Sequence, residues 1–488
     1  MFTRMIIHVA LICSLLGINL SAHTALAEES TASAANNYVT LKVIEQFIVV
    51  NDKKKKVYNI IQPDGSEGIK AKKGQFFNIL LKNETPKDIS IHWHGLILPN
   101  NQDGVPYVTQ LPLKPGEIRP YHFKLIQSGT YWMHSHLSLD EQDLMTAPLI
   151  ITDPTTPSPA DKEVVLMFQD FTFKNPEEVL AELKKPKMND MKNTPMTMDS
   201  KPDISDVKYD AFLTNRRTLQ NPEIVMVNPG QKIRLRLING AAATNFWVDT
   251  GQLKGTIIAA DGADTKPLAS TLFQIAIGQR LDVIVTIPEA GGVFPILGKP
   301  EGTNQQTGLL LATPSATIPQ LSETASVTMP ALNNGQEMKL HAMHPLPPKP
   351  VTRTLNYQLG GNMQNYVWTL NHEIWPLIKP LTISQGDRVE LVFTNNTGMA
   401  HPMHYHGHVF QVTEINGKPL ANGPLRDSIL VLPHQTVKVQ YDADNPGIWI
   451  MHCHVLYHLI TGMATTINYK NYPQPSYYKN LLQGKIKE

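Results

Sequence analysis

The sequence predicts an all-β protein made of repeated β-sandwich or barrel domains, and three observations carry that expectation: strand-like periodicity, dense turn punctuation and an internal repeat. Segments such as QKIRLRLIN and RVELVF alternate apolar and charged residues, and LDVIVTIP reads as a buried strand. The 37 prolines and 30 glycines fall between such segments, as all-β folds require. At 488 residues the chain exceeds what one hydrophobic core can organise, so two to four domains are expected. A formal net charge of +1 gives no electrostatic reason to expect nucleic acid or an anionic membrane as partner.

In chain order, the first element is a leader. Arg4 precedes an apolar run from Val9 to Leu20, and Ala25–Ala27 supplies small residues for cleavage, so residues 1–27 read as a secretory signal peptide. The run is shorter than the ~20 apolar residues a bilayer needs, and no later segment is long and apolar enough either. The mature chain is therefore expected to have no membrane span. Loss of the leader removes Cys13 and leaves Cys453 as the only cysteine in an oxidising compartment, where a metal would hold an otherwise vulnerable thiol.

The repeat sets the number of domains. KKGQFFNILLKNET, NPGQKIRLRLINGA and SQGDRVELVFTNNT share one pattern, with evenly spaced glycines at Gly74, Gly230 and Gly386. Nine residues after each comes Asn83, Asn239 or Asn395; fifteen before each comes Asn59, Asn215 or Asn371. Three copies of one β-domain are expected, over residues 38–154, 155–315 and 352–488, with a linker at 316–351.

The first and third copies carry the chemistry. At matching offsets from their glycines stand His92 and His94 in the first copy and His404 and His406 in the third; the middle copy has Val248 and Thr250 there. Later in each copy the match returns, with His134 and His136 after Gly129 and His452 and His454 after Gly447, against Leu297 and Lys299 after Gly292. The middle copy thus has the frame without the ligands, and a structural role is expected for it. Residues i and i+2 of a strand point the same way, so each His-x-His pair aims two imidazoles at one place. Eight such nitrogens exceed what one tetrahedral metal takes and suit a cluster of several metals.

The stretch GIWIMHCHVLYHLITGM, residues 447–463, adds a second kind of site. Cys453 must point opposite to His452 and His454, and so faces a different metal from theirs. His458 follows from the next turn, and His401 in HPMHYHGH is placed to be the second imidazole. With the more distant Met463 these make a trigonal blue-copper site, joined to the cluster by one covalent link.

At this point HWHG, YWMHSH, HPMHYHGH and HCHVLYHLITGM resemble the four copper-binding motifs of the multicopper oxidases, complete and in family order. With the repeats, the resemblance covers essentially the whole mature chain. It implies three cupredoxin-like Greek-key domains and four copper ions. By that resemblance His401, Cys453, His458 and Met463 bind type 1 copper, and His92 and His404 bind type 2 copper. One type 3 ion falls to His94, His134 and His454, and the other to His136, His406 and His452, while His408 has no ligand role. The implied reaction is one-electron oxidation of a substrate at type 1 copper, transfer through Cys453 and then His452 or His454, and four-electron reduction of dioxygen to water. Asp103 in NNQDGVP resembles the acidic residue the family uses near the cluster for protons; a turn aspartate before Gly104 is the other reading.

HSHLSLDEQ, APLII, DVKYDAFLTNRR and AADGADTKP look most like the bacterial copper-resistance branch, whose members and relatives oxidise cuprous or ferrous ions or, laccase-like, phenols. That resemblance implies a periplasmic enzyme of copper tolerance; a monomer is expected. The chain departs from the branch in having only Arg4 where a twin-arginine signal is common, and in its reduced methionine- and histidine-rich inserts. MNDMKNTPMTM, with Met188, Met191, Met196 and Met198, and MKLHAMH at 338–344 offer thioethers either for cuprous copper or for packing. A copper-sequestering protein without oxidase turnover is the alternative function; catalytic consumption of dioxygen separates the two.

Overall fold

The computed structural model describes residues 38–185 and 204–486. The leader and the methionines at 188, 191, 196 and 198 lie outside the described residues. Eight strands form the first sandwich: β1 (Val39–Val50), β2 (Lys53–Ile61), β3 (Ile69–Lys72), β4 (Phe76–Asn83), β5 (Ile91–His94), β6 (Ile118–Lys124), β7 (Gly129–Ser135) and β8 (Thr146–Thr152). One sheet runs β2-β1-β4-β6 and the other β3-β8-β7-β5. The pairs β1/β4 and β3/β8 are parallel, and the chain crosses repeatedly from sheet to sheet in Greek-key fashion.

Both orders recur twice. In the middle sandwich Ala211–Thr214, Lys162–Phe171, Lys232–Asn239 and Arg280–Thr286 follow the first order, and Ile224–Met226, Thr307–Ala312, Val293–Pro300 and Phe246–Asp249 the second. The third sandwich repeats them with Val367–Leu370, Arg353–Asn362, Arg388–Asn395 and Thr436–Asp442, then Leu381–Ile383, Ala464–Tyr469, Ile448–Cys453 and His401–Tyr405. The architecture is therefore all-β, in recurring sandwiches as the repeat predicts, and of the cupredoxin type that the resemblance implies.

The repeated asparagines explain why the pattern survives. Asn83, Asn239 and Asn395 end equivalent strands, are almost fully buried, and tie down the following corner with both ends of the amide. Asn395 Nδ2 donates to the carbonyls of Met399 and Val431, while its Oδ1 accepts from the N–H of Thr397. Asn83 does the same with Lys87, Leu113 and Thr85, and Asn239 with Thr244, Ile275 and Ala241. The upstream asparagines agree in two copies: Asn215 and Asn371, both at positive φ, brace the strands Lys162–Phe171 and Arg353–Asn362. Asn59 instead lies inside β2.

Burial patterns locate the site. β4 alternates buried and partly exposed positions, whereas β5, β7, His401–Tyr405 and Ile448–Cys453 are buried throughout. In the last strand Trp449, Met451 and Cys453 belong to the main core, while Ile448 and Ile450 pack in a separate cluster on the opposite face. A strand dry on both faces must have another domain on its outer side. Asn100 Nδ2 donates to Ile448 O across that junction (2.7 Å), and Asn445 Nδ2 to Leu98 O (3.1 Å), so the first and third sandwiches close on each other there. No helix among the described residues is long and apolar enough to cross a membrane.

Candidate metal centre

Antiparallel pairing sets histidine against histidine. His92 lies opposite His134 in β5/β7, and His404 opposite His452 in the equivalent strands of the third sandwich. Their alternation turns the rings toward the gap between the two sandwiches, where the ring pairs His92/His406 and His94/His404 each stack with centroids 3.8 Å apart. His452 Nε2 lies 3.1 Å from His406 Nε2 within the third sandwich and, across the gap, 3.4 Å from His136 Nε2. His454 Nε2 lies 3.3 Å from His94 Nδ1.

The outward nitrogens are taken by the chain. The Nδ1–H of His92 donates to Asp103 O, that of His404 to Asp427 O and that of His452 to Cys453 O, at 2.8–2.9 Å. His134 Nδ1 is 3.0 Å from Ser135 O and 2.9 Å from Glu141 Oε2; His406 Nδ1 is 2.9 Å from Asp103 Oδ2. Each of these bonds fixes a tautomer and leaves the inward nitrogen with a free lone pair. His92, His134 and His404 accordingly have Nε2 atoms that are buried and without any hydrogen-bond partner. Buried polar atoms without partners are rare in folded proteins. Convergent neutral imidazoles with orphaned nitrogens fit copper ions bound between the sandwiches. Burial, reinforced by the neighbouring imidazoles, holds His94, His134, His136, His404, His406 and His454 well below the usual histidine range, so these rings are unprotonated and ready to ligate.

On the other face of the Ile448–Cys453 strand, Cys453 Sγ is 3.6 Å from both His401 Nδ1 and His458 Nδ1, and those nitrogens are 3.2 Å apart. This is a fully buried triangle of two imidazoles and a thiol. Cys453 N–H donates to Met463 O and Met463 N–H to His458 O, each at 3.0 Å, so the methionine is tied by its backbone to both. Burial pushes the thiol pKa up, and a metal is what would displace its proton. The ring of Trp368 lies over His458 with centroids 4.0 Å apart.

Asp103 is both a turn residue and a neighbour of the cluster. It ends a short 3-10 turn, Asn100–Gln102, before Gly104, whose φ of +90° and close approach to the Ile91 carbonyl leave no room for a side chain. Its carboxylate is buried between His406 Nδ1 and His92 Nδ1, the latter 3.1 Å from Oδ1. His408 is turned away: Nδ1–H donates to His406 O, Nε2 accepts from Tyr469 OH, and burial lowers its pKa to about 4. In MKLHAMH, Met338 packs against the core while Met343 is exposed.

Sequence reasoning did not reach four groups around the two sites. Asp427 accepts from His94 Nε2–H (3.2 Å), and Asp206 Oδ2 lies 3.3 Å from His458 Nε2 and accepts from Tyr366 OH. Glu141 spans His134 and His454, and Arg280 from the middle sandwich grips Asp427. Asp427, in RDSIL, and Glu141, in HSHLSLDEQ, stand near histidine motifs in sequence or across a strand pair; the contact of Asp206 and Arg280 with the sites is visible only in the fold. A cavity of about 350 Å³ reaches the cluster, lined by His134, His136, His452 and His454 together with apolar residues such as Leu456 and Leu459.

Comparison with known proteins agrees with this arrangement. Models of the multicopper oxidase family match residues 48–156, 162–319 and 348–472. The chain is 34% identical over 419 residues to multicopper oxidase MmcO of Mycobacterium tuberculosis, covering 82% of this chain and 81% of that protein. It is 27% identical to copper resistance protein A of Escherichia coli, covering 81% and 86%. The structure of Fet3p, a multicopper oxidase that functions in iron import, superposes with a TM-score of 0.77 at 19% identity over 92% of this chain and 95% of that one.

Proposed function

Because the chain belongs to the multicopper oxidase family, and is thus a copper-dependent oxidoreductase coupling oxidation of a reducing substrate to reduction of dioxygen, we propose that it works with four copper ions in two places. Cys453, His401, His458 and Met463 hold the type 1 ion. His92 and His404 hold type 2 copper; His94, His134 and His454 hold one type 3 ion, and His136, His406 and His452 the other. The observation that carries this reading is the inward convergence of buried ring nitrogens without hydrogen-bond partners. Domain limits of 38–154, 155–315 and 352–488 fit the three sandwiches.

Bound copper supplies one-electron steps, four of which with four protons convert dioxygen to two waters. The chain does the rest. Cys453 shares peptide bonds with both His452 and His454, joining the two places by the shortest covalent route. Asp206, with Tyr366 behind it, sets a carboxylate against the outer nitrogen of His458, the side from which a reductant approaches. The Asp103 carboxylate, between His92 and His406, stands where protons are consumed. The cavity beside His136 and His452 is an apolar route suited to dioxygen.

Its partners are small reducing substrates and dioxygen. Cuprous ion is the proposed physiological substrate, in copper tolerance, with ferrous ion and phenols as further reductants; an exported, periplasmic chain fits the leader, and a monomer is proposed. Oxygen consumption by the copper-loaded protein with cuprous ion, ferrous ion and a simple phenol tests this. His94→Ala is expected to keep the blue type 1 absorption and to stop dioxygen turnover; loss of both together would mean that the division of ligands is wrong. Binding of copper without catalytic oxygen consumption would leave the sequestering function instead.

A further inference from the structure

The middle sandwich supplies no imidazole to the cluster, yet its turn at residues 276–280 is wedged against it. Gly278 has φ +81°, and a Cβ there would stand 3.0 Å from His454 Cδ2 and 3.2 Å from His94 Cε1, so bare backbone packs on two of the rings. Gln279 Nε2 donates to Ser428 O of the third sandwich (3.0 Å). Arg280, with no exposed surface, reaches both outer sandwiches at once. Its Nε–H donates to Thr130 O (3.1 Å), while Nη1 and Nη2 donate to Asp427 Oδ1 and Oδ2 (2.7 and 2.5 Å). Asp261 Oδ1 braces Arg280 from behind, accepting from its backbone N–H at 2.8 Å and lying 3.7 Å from Nη1.

Asp427 is the relay. Its Oδ1 accepts from His94 Nε2–H and from Ser428 Oγ–H, and its backbone oxygen from His404 Nδ1–H. His94 is turned opposite to His92, His134, His404, His406 and His452: it faces the cluster with Nδ1 and the protein with Nε2. Such a ring needs an acceptor held in one place, and a guanidinium fork fixes both carboxylate oxygens in a plane as an ammonium cannot. We propose that Arg280 is a positioning residue of the cluster: by clamping Asp427 it holds His94 with Nδ1 toward the metals, so the sandwich without ligands sets the geometry of a site that it does not ligate.

This rests on the reading of the cluster above, and the test keeps the two apart. Arg280→Lys, which retains the charge, Asp427→Asn and the double variant are loaded with copper beside the parent. Copper per chain, blue type 1 absorption, the type 2 electron paramagnetic resonance signal and dioxygen turnover are measured. Arg280→Lys is expected to keep the blue absorption and the KM for the reductant, to change the type 2 signal or lose cluster copper, and to slow turnover by about 10- to 100-fold, the usual effect of disturbing the partner of a metal ligand, here Asp427. Asp427→Asn should act in the same direction, and the double variant should be no worse than the worse single one, because both changes break one linkage. Arg280→Lys with the parent's copper, type 2 signal and turnover would overturn the role, as would loss of blue absorption and cluster together, or additive effects in the double variant. A parent that itself lacks cluster copper would sink the reading of the cluster rather than that of Arg280.

Discussion

At the scale of single residues, the chemistry depends on protons as much as on metals. Burial holds eight of the ten proposed imidazole ligands below the ordinary range: seven well below, and His452 at about 4. A depressed pKa means that these rings are already neutral at neutral pH and have no proton to release when copper enters. Cys453 is the reverse case: its raised pKa keeps the thiol protonated, and ligation must expel that proton. Copper loading should therefore release about one proton per chain at about pH 7.5, and the eight depressed rings should add little at about pH 6, where eight ordinary imidazoles would add about six. Calorimetry in buffers of different ionisation enthalpy reads this directly, and a steep rise toward acid would contradict it. Cys453→Ser should lower the release by about one, and should abolish blue colour and oxidase activity while the chain still folds, since little core volume changes. A blue, active variant would exclude the assignment. Asp103→Asn keeps the shape but removes the charge between His92 and His406; dioxygen reduction slower by about 10- to 100-fold with unaltered type 1 reduction is expected. Unchanged reoxidation kinetics would leave Asp103 as the turn residue that its place before Gly104 also makes it.

At the scale of elements, the corner asparagines allow a controlled comparison, because three copies use one device in different surroundings. Removing the amide strands two or more buried carbonyls, a loss of roughly 1–3 kcal/mol or more for each corner. In the third copy Asn395 also positions Thr397, whose Oγ1 lies 2.8 Å from His401 Nε2. Asn239→Ala should thus lower the Tm and leave the blue absorption alone, whereas Asn395→Ala should lower the Tm and also shift or weaken the absorption. Equal spectra in both variants would show that the Asn395 corner has no hold on His401. The same comparison shows how far the repeat is legible. Asn83, Asn239 and Asn395 recur because each makes the same hydrogen bonds, and their spacing reports a common structure. Asn59 shares the offset of Asn215 and Asn371 but lies within a strand, so spacing alone did not reveal its different role.

At the scale of the whole molecule, the cluster is a joint rather than a pocket, since its proposed ligands come from two sandwiches and its braces from all three. Metal that binds only the closed arrangement stabilises it by mass action, by about 4 kcal/mol at a thousandfold excess over Kd. Removing copper should lower the Tm and raise hydrogen exchange in β5 and in Ile448–Cys453 above that in strands remote from the junction, such as Lys232–Asn239. Uniform exchange on copper removal would show that the sandwiches stay closed without metal. Arg216 holds the first and middle sandwiches together independently, donating to Tyr58 O and Leu144 O at 2.9 Å each, so that junction should be indifferent to copper.

The sequence by itself determined the all-β class, the threefold repeat and the histidine and cysteine motifs, because strand alternation and ligand chemistry are local: i and i+2 share a face whatever the rest of the chain does. It even separated Cys453 from its neighbours, since one step along a strand reverses direction. Only the tertiary structure decided which carboxylate meets which ring. Asp103 faces His406 some three hundred residues away, Asp206 reaches His458 from another sandwich, and Arg280 grips Asp427 across a domain boundary. Such contacts are set by how the sandwiches pack, and packing between domains leaves no period in the sequence.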